Sequence, residues 1–284
     1  TAQLAAAVGR TFPKALLRDL SPLDESELAQ SIDRLREAGL VLPSGDDAFT
    51  FRHALFQDAA YRSLTKEDRA ATHLRIAETM RSSFPDIIEH HPEIAARHWG
   101  EAGEAESAIE LWTRAGQVAN LQCAKQEAIS CFTSGMDLIE AVPDGQKKIQ
   151  LEFDLQVGLG AAHFAADGYG STGAVTAYAR AVDLGERHSG KPDLFNARWG
   201  LWACTSSRSD YGESLKATLH LLRMAQRGSD PVQLQQGHFA VGNIRFWRGE
   251  FTKACEHLER AMALYQPDHH ERLVTDFGEN AYVT

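Results

Sequence analysis

Residues 234–267, LQQGHFAVGNIRFWRGEFTKACEHLERAMALYQP, decide the fold of this chain. The stretch predicts two antiparallel helices joined by a turn at residues 248–250, where glycine interrupts the helical pattern. In the second helix, apolar side chains recur four, three and three positions apart, and this spacing aligns them on one helical stripe: Ala254, Leu258, Ala261 and Leu264. Because Gly242 in the first helix is small, the two helix backbones could approach closely there.

This pattern resembles a tetratricopeptide repeat (TPR) helix pair. It combines small residues at fixed offsets with an aromatic residue, Phe251, that opens the second helix and a proline, Pro267, that closes it. The resemblance implies a scaffold of stacked helix pairs, since one pair cannot bury its apolar face alone. We therefore expect a mainly α protein with a right-handed α-solenoid of TPR-like helix pairs.

Similar stripes recur along the chain. Those that start at Ala174, Ser214 and Ala254 lie forty residues apart, more than the roughly 34 of a standard TPR, so we expect longer helices or turns. Residues 168–173, GYGSTG, are predicted to be such a turn, because a phosphate-binding loop would need a preceding strand and a following lysine. The further stripe residues are Ala108, Trp112, Ala115, Ala128, Phe132, Gly135, Tyr178, Ala181, Thr218 and Leu221.

Composition restricts the class of protein. The chain has 284 residues, of which 43% are hydrophobic and 24% charged, as in a globular protein. Its net charge of -10 disfavours a protein whose main partner is nucleic acid. No signal peptide or apolar run of membrane-spanning length is present, which predicts a cytoplasmic location without membrane contact. The four cysteines lack C-x-x-C spacing and are predicted to be reduced core thiols.

The first fifty residues predict three helices followed by a hairpin. The third helix, over residues 25–38, has Asp24 as its expected N-cap and Glu27 as its capping-box partner. Two short apolar runs, residues 40–42 and 49–51, flank a Gly/Asp turn and predict the hairpin. This order is that of a winged helix. Because its third helix is acidic, we expect that helix to serve packing or domain contact rather than DNA reading.

Residues 51–64, FRHALFQDAAYRSL, carry a second resemblance, together with residues 72–77, THLRIA. They resemble a bacterial family of multidomain signalling proteins with a STAND/AAA-type ATPase module, often preceded by a class III adenylate or guanylate cyclase domain and followed by TPR-like repeats. The resemblance covers nearly the whole chain. It implies that the winged helix closes the ATPase module and that the repeats sense or recruit partners.

The sequence predicts no catalytic, cofactor or metal residue. It contains no G-x-x-x-x-G-K-[ST] loop, so a nucleotide site of the parent protein would lie upstream of Thr1. His53 and the pair His90 and His91 are predicted to be structural, because a zinc site needs more converging donors. The chain starts and stops inside apparently structured segments, which predicts a fragment of a longer protein. Its exposed last repeat, ending at Thr284, predicts self-association or lower stability than a longer chain has.

The predicted binding surface is a groove lined by the first helix of each pair. Counting from the stripes gives seven candidates for a partner-binding groove: Asn196, Trp199, Ser206, Gln236, Phe239, Asn243 and Trp247. In peptide-clamping TPR proteins an asparagine stands at the place of Asn243, with a lysine where this chain has Phe239, so an apolar peptide or a protein surface is the expected ligand. The alternative is that the tryptophans only pack between neighbouring helix pairs.

These observations predict three segments: a winged-helix-like segment with its connecting helix (residues 1–64), a helical linker with the first TPR-like helices (65–145), and TPR-like repeats (146–284). The predicted function is a non-catalytic interaction and regulatory module of a nucleotide-dependent signalling protein. Its partner would be a protein or peptide, or the parent's own upstream domains. One alternative is part of a DNA-binding transcriptional regulator. Another is an enzyme, although no nucleophile–base pair is evident.

Overall fold

A computed structural model describes residues 1–187, 194–206 and 210–277 of the chain. Those residues are mostly helical and form two compact units, Thr1–Leu111 and Trp112–Thr284. The division into three segments at residues 64 and 145 stays a prediction. Within the described ranges, no helix has both the length and the apolar character needed to cross a membrane. Residues 283–284, which carry the predicted open edge, lie outside these ranges.

The first unit combines short helices with a small antiparallel sheet. Its strand order is β1-β3-β2, and Phe12 pairs with Phe49 while Val41 pairs with Phe51. In chain order the elements are α1 (Ala2–Val8), β1 (Thr11–Pro13), α2 (Lys14–Leu20), α3 (Glu25–Glu37), β2 (Val41–Ser44), β3 (Ala48–Phe51), α4 (Ala54–Arg62), α5 (Lys66–Ser83), α6 (Pro85–His90) and α7 (Pro92–Glu101).

The strand β1 is absent from the sequence-based prediction, which has only helices before the hairpin. Pro13 instead ends β1, and α2 begins at Lys14. The strand forms because Phe12 is buried beside the rings of Phe49 and Phe51, at centroid distances of 6.1 and 5.6 Å. The backbone N–H of Lys14 then donates to the Asp47 carbonyl at 2.8 Å, which ties the end of β1 to the hairpin.

The second unit is a succession of helices joined mainly by short turns. From α9 to α15 each helix packs on the next, and α12 also contacts both α10 and α14. The helices are α8 (Ala105–Leu121), which crosses the boundary between the units, α9 (Lys125–Met136), α10 (Gln146–Asp167), α11 (Thr172–Arg187), α12 (Phe195–Thr205), α13 (Tyr211–Gly228), α14 (Pro231–Trp247), α15 (Phe251–Leu264) and α16 (His270–Phe277).

Close helix contacts in this unit depend on glycines that face large side chains. A Cβ atom placed on Gly242 of α14 would lie 2.8 Å from the Leu258 side chain of α15, closer than real Cβ contacts allow. A Cβ atom on Gly116 or on Gly158 would likewise lie too close to the ring of Phe132. The small residues of the predicted stripes are therefore buried where helices meet, and the stripes on α11 and α13 are buried throughout.

The turn predicted at residues 168–173 separates α10 from α11. Gly168 and Gly170 adopt φ angles of +73° and +91°, which L side chains rarely accept, so glycine is required there by the backbone. The cysteines only partly follow their prediction as core thiols. Cys131 and Cys204 are buried, but Cys123 and Cys255 are exposed, since one lies in the turn after α8 and the other on the outer face of α15.

Candidate functional site

Two cavities in the second unit share part of their walls. The first, of about 610 Å³, lies between α14, α15 and α16 and is called the α15 cavity. The second, of about 390 Å³, lies between α12 and α14 and is called the α12 cavity. Phe239 and Asn243 of α14 line both, so the two cavities together are treated as one groove.

Six of the seven sequence-predicted groove residues line this groove. Gln236 lines the α15 cavity, Phe239 and Asn243 line both cavities, and the α12 cavity also contains Trp199, Ser206 and Trp247. Asn196 is not among the lining residues. Its side chain instead forms a hydrogen bond with the carboxylate of Asp276 on α16.

The groove tryptophans divide into a buried and an exposed group. Trp199 and Trp202 are buried, with ring centroids 6.0 Å apart, and Phe164 packs edge-on against Trp199. Trp247 lies at the other side of the α12 cavity and is 60% exposed. Packing between helices therefore accounts for Trp199 and Trp202, but it does not account for Trp247.

An exposed aromatic cluster surrounds Trp247. The ring of Phe246 lies 5.5 Å from that of Trp247 and 5.7 Å from that of Phe251, measured between centroids. Phe246 is 50% and Phe251 is 60% exposed. We call these three residues the aromatic cluster. It joins the end of α14 to the start of α15, at the turn that the sequence predicts.

Several lining residues are absent from the sequence-based prediction. Tyr169 comes from the turn before α11, and Tyr211 begins α13; both line the α12 cavity and are exposed. Met262 and Tyr265 add the far wall of the α15 cavity. Their sequence signal is weak, because it consists only of aromatic or long apolar side chains at helix ends.

An ion pair lies at the start of α14. The Asp230 carboxylate caps that helix, accepting from the backbone N–H of Val232 at 2.9 Å, and it accepts from Arg272 of α16 at 2.8 and 3.2 Å. Burial alone would raise the pKa of Asp230, but the hydrogen bonds from Arg272 and the helix N-terminus outweigh it and hold the pKa below its ordinary value. Asp230 therefore stays ionised and fixed in position.

The first unit contains a buried histidine pair. The Nδ1 atoms of His73 and His98 lie 2.8 Å apart, and the Tyr61 hydroxyl lies 2.8 Å from Nε2 of His73. Burial lowers the pKa of His98 to about 3 and also lowers the pKa of His73. Only one of two ring nitrogens at hydrogen-bond distance can carry the proton between them, so the two rings cannot both be protonated. His73 and Tyr61 also border a polar cavity of about 350 Å³ beside Arg97 and Glu101.

The described residues give little support for a metal site or for DNA binding by α3. In residues 1–187, 194–206 and 210–277, no three His, Cys, Asp or Glu side chains are grouped so as to hold a metal ion. The third helix of the first unit, α3, exposes Glu25, Glu27 and Glu37, and Asp33 pairs with Arg36 at 2.9 Å. An acidic helix surface repels phosphates, so α3 does not favour the DNA-binding alternative.

A curated protein is similar to nearly the whole chain. No protein-family model matches the chain. An uncharacterized protein of Rhizobium meliloti (strain 1021) is 26% identical over 284 residues, which is 98% of this chain and 27% of that protein. The chain thus spans about a quarter of the length of this relative.

Solved structures to which the chain is similar include TPR proteins. YrrB, a TPR protein with an unusual peptide-binding site, is 21% identical with a TM-score of 0.43, over 76% of this chain and 95% of YrrB. A STAND protein with a TPR sensor from Pyrococcus horikoshii is 10% identical with a TM-score of 0.44, over 93% and 50%. The apo form of RapI is 13% identical with a TM-score of 0.41, over 72% and 62%.

Proposed function

We propose that the second unit is a protein-interaction module that holds a peptide or protein segment in the groove. The observation that carries this proposal is the aromatic cluster of Phe246, Trp247 and Phe251, which stays exposed beside two open cavities. Exposed, contiguous aromatic side chains are unfavourable in water and typically mark an interaction site. Tryptophan is also among the residues that contribute most to binding energy at protein interfaces.

The chemistry of the lining favours an apolar segment. No charged side chain is among the described residues that line either cavity. The polar groups are amides and hydroxyls, with the Asn243 amide common to both cavities, and an amide can both donate to and accept from a peptide backbone. A charged chain-terminal carboxylate would find no cation there. The groove thus fits an apolar peptide better than an acidic tail.

Two buried hydrogen-bond donors in the α12 cavity also support the binding of a peptide segment. The indole N–H groups of Trp199 and Trp202 have no hydrogen-bond partner among the described residues, and both side chains line the α12 cavity. A buried donor without an acceptor costs free energy. A carbonyl group of a bound segment would supply the missing acceptor once a ring turns its buried nitrogen toward the cavity.

For the longer protein, we infer a STAND/AAA-type signalling ATPase of the cyclase-associated family, in which this chain is a non-catalytic, cytoplasmic part without cofactor. The order α1-β1-α2-α3-β2-β3 in the first unit supports a winged-helix segment, as does the motif at residues 51–64. The succession of helix pairs supports a right-handed TPR-like solenoid as its sensor. Partner binding in the groove would then shift the balance between active and inactive states.

Selection of displayed peptides on the purified chain tests the binding function. We expect apolar, aromatic-containing peptides to be enriched, and Trp247→Ala to weaken their binding at least tenfold. Leu55→Ala is the matched control, because Leu55 is a large apolar residue of the first unit that is 77% exposed. The proposal is wrong if no peptide is enriched, or if the selected peptides bind the Trp247→Ala and Leu55→Ala variants equally well.

A further inference from the structure

The helix α16 lies against helices that come much earlier in the chain. It follows α15 in sequence, yet it contacts α10 and α12. Its two apolar anchors, Leu273 and Phe277, are buried, and the Phe277 ring lies 5.0 Å from that of Trp199 and 6.2 Å from that of Phe195. Thus α16 covers part of the helix face from which the groove is built.

A polar contact beside each anchor defines how α16 lies there. Near its start, Arg272 makes two hydrogen bonds to Asp230, whose carboxylate is already held by its capping bonds. Near its end, Asp276 forms a hydrogen bond with Asn196 of α12. These contacts have the features of a recognition site: two apolar positions four residues apart, each directly preceded by a charged side chain, Arg272 for the first and Asp276 for the second.

The helix α16 also forms a wall of the groove. Leu273 lines the α15 cavity together with Phe239 and Tyr265. Both anchors of α16 belong to the buried apolar core that α12 and α14 also form. Removing α16 from this place would open the α15 cavity on the side where Leu273 now lies.

We propose that the surface of α10, α12 and the start of α14 on which α16 lies, next to the groove, recognises an amphipathic helix of a partner protein, with large apolar residues at positions i and i+4 and an arginine at i−1. The helix α16 occupies this place within the same chain. Apolar anchors at this spacing are how amphipathic helices enter hydrophobic grooves. The partner's arginine would replace Arg272 on Asp230, and its apolar pair would replace Leu273 and Phe277. This inference rests on the proposed function, because it names the partner of a surface next to the same groove.

A synthetic peptide of residues 266–277, QPDHHERLVTDF, is the probe. Its affinity is measured by fluorescence anisotropy for the full chain and for the double variant Leu273→Ala/Phe277→Ala, in which the docked helix loses its anchors. We expect the double variant to bind the peptide at least tenfold more tightly than the unmodified chain. The Leu55→Ala variant is the control and should bind like the unmodified chain.

Two further measurements test the ionic contact. A peptide carrying Arg272→Ala should bind the double variant at least threefold more weakly than the unaltered peptide. Adding Asp230→Asn to the double variant should give the same loss, since asparagine caps a helix as well as aspartate does but carries no charge. If the double variant is not helical by circular dichroism, Arg272→Ala in the full chain replaces it, with an expected gain of at least threefold.

The inference is overturned if the unmodified chain binds the peptide as tightly as the folded variant, or if the folded variant does not bind it. Peptides selected by display separate this failure from failure of the proposed function. Should selected peptides bind in a Trp247-dependent manner while the 266–277 peptide binds neither protein, the groove is a binding site but α16 does not represent its ligand. Enrichment of no peptide on the unmodified chain or on the variant contradicts both proposals.

Discussion

The ring of Tyr178 lies directly against Gly200, so that a Cβ atom on this glycine would come within 2.2 Å of Cζ of the tyrosine. Gly160 contacts the same ring, and a Cβ atom there would lie 2.7 Å from Cε1. Tyr178 of α11 is fully buried between glycines of α10 and α12. The spacing of these three helices, and with it the position of Trp199 next to Gly200, depends on the absence of two methyl groups.

Replacing Gly200 by alanine should therefore destabilise the second unit. The added methyl group has no free space, so we expect Gly200→Ala to lower the free energy of unfolding by about 1–3 kcal/mol, the usual range for overpacking. Urea denaturation followed by tryptophan fluorescence measures the change. Gly228→Ala is the control, because its Cβ atom would meet Gln233 only at an ordinary 3.6 Å. Equal stability of the two variants would contradict the packing described for Tyr178.

Stability of the first unit should fall as the solution becomes acidic. The pKa of His98 is lowered to about 3 in the folded chain by burial, whereas an unfolded histidine titrates near 6.5. The unfolded chain therefore takes up the proton first, so this contribution is complete above pH 6.5 and is lost as the pH falls toward 3. Between pH 7 and pH 5 we expect a loss of about 2 kcal/mol from His98 alone.

Denaturation curves recorded at several pH values measure this dependence, and two variants identify its source. His98→Leu removes the buried titrating ring and should flatten the dependence, even though it also lowers stability at pH 7. His53→Gln removes an exposed histidine of the same unit and should leave the slope unchanged. A slope that persists in His98→Leu would exclude the histidine pair as its origin.

Thiol reactivity should separate the cysteines by burial. Burial raises the pKa of Cys204 to about 11, so little of the reactive thiolate exists at pH 8. Cys123 and Cys255 are exposed. We expect iodoacetamide to label both exposed cysteines in the native chain and to label Cys204 only after denaturation, as read by peptide mass spectrometry. Labelling of Cys204 at the rate of Cys255 would contradict its burial.

The capping box of α3 should contribute measurably to the first unit. The Asp24 carboxylate accepts from the Glu27 backbone N–H at 2.8 Å, and the Glu27 side chain accepts from the Asp24 backbone N–H at 3.3 Å. Asp24→Ala should reduce the free energy of unfolding by about 0.5–2 kcal/mol. Glu37→Ala, at the opposite end of α3, removes a carboxylate where the helix dipole disfavours it and should be neutral or slightly stabilising. Denaturant titration distinguishes the two.

Local patterns made much of the helical structure predictable. The pair α14 and α15 follows from its stripe and its glycine turn, and the Asp24–Glu27 capping box follows from four adjacent residues. The strand β1 was not predictable, because Thr11 pairs with Thr50, which no short-range pattern indicates. A proline that can begin a helix can equally end a strand, and only the burial of Phe12 decides between the two.

Only those groove residues that share one face of a helix were predictable from the sequence. Counting along α14 places Phe239, Asn243 and Trp247 on one side, and these three do line the α12 cavity. The same counting cannot show that Asn196 meets Asp276, because that contact joins residues eighty positions apart. The walls contributed by Tyr169 and Tyr211 come from a turn and a helix start, where side-chain direction follows no fixed period.

The shared wall of the two cavities has a thermodynamic consequence. Phe239 and Asn243 face both spaces, so an occupant that turns either side chain changes the shape of the neighbouring space. Ligands in the two cavities would therefore not bind independently. If a ligand in one cavity changes the affinity of the other cavity for its ligand by some factor, the second ligand changes the affinity for the first by the same factor. A pair of side chains on one helix is thereby sufficient to make a single groove cooperative.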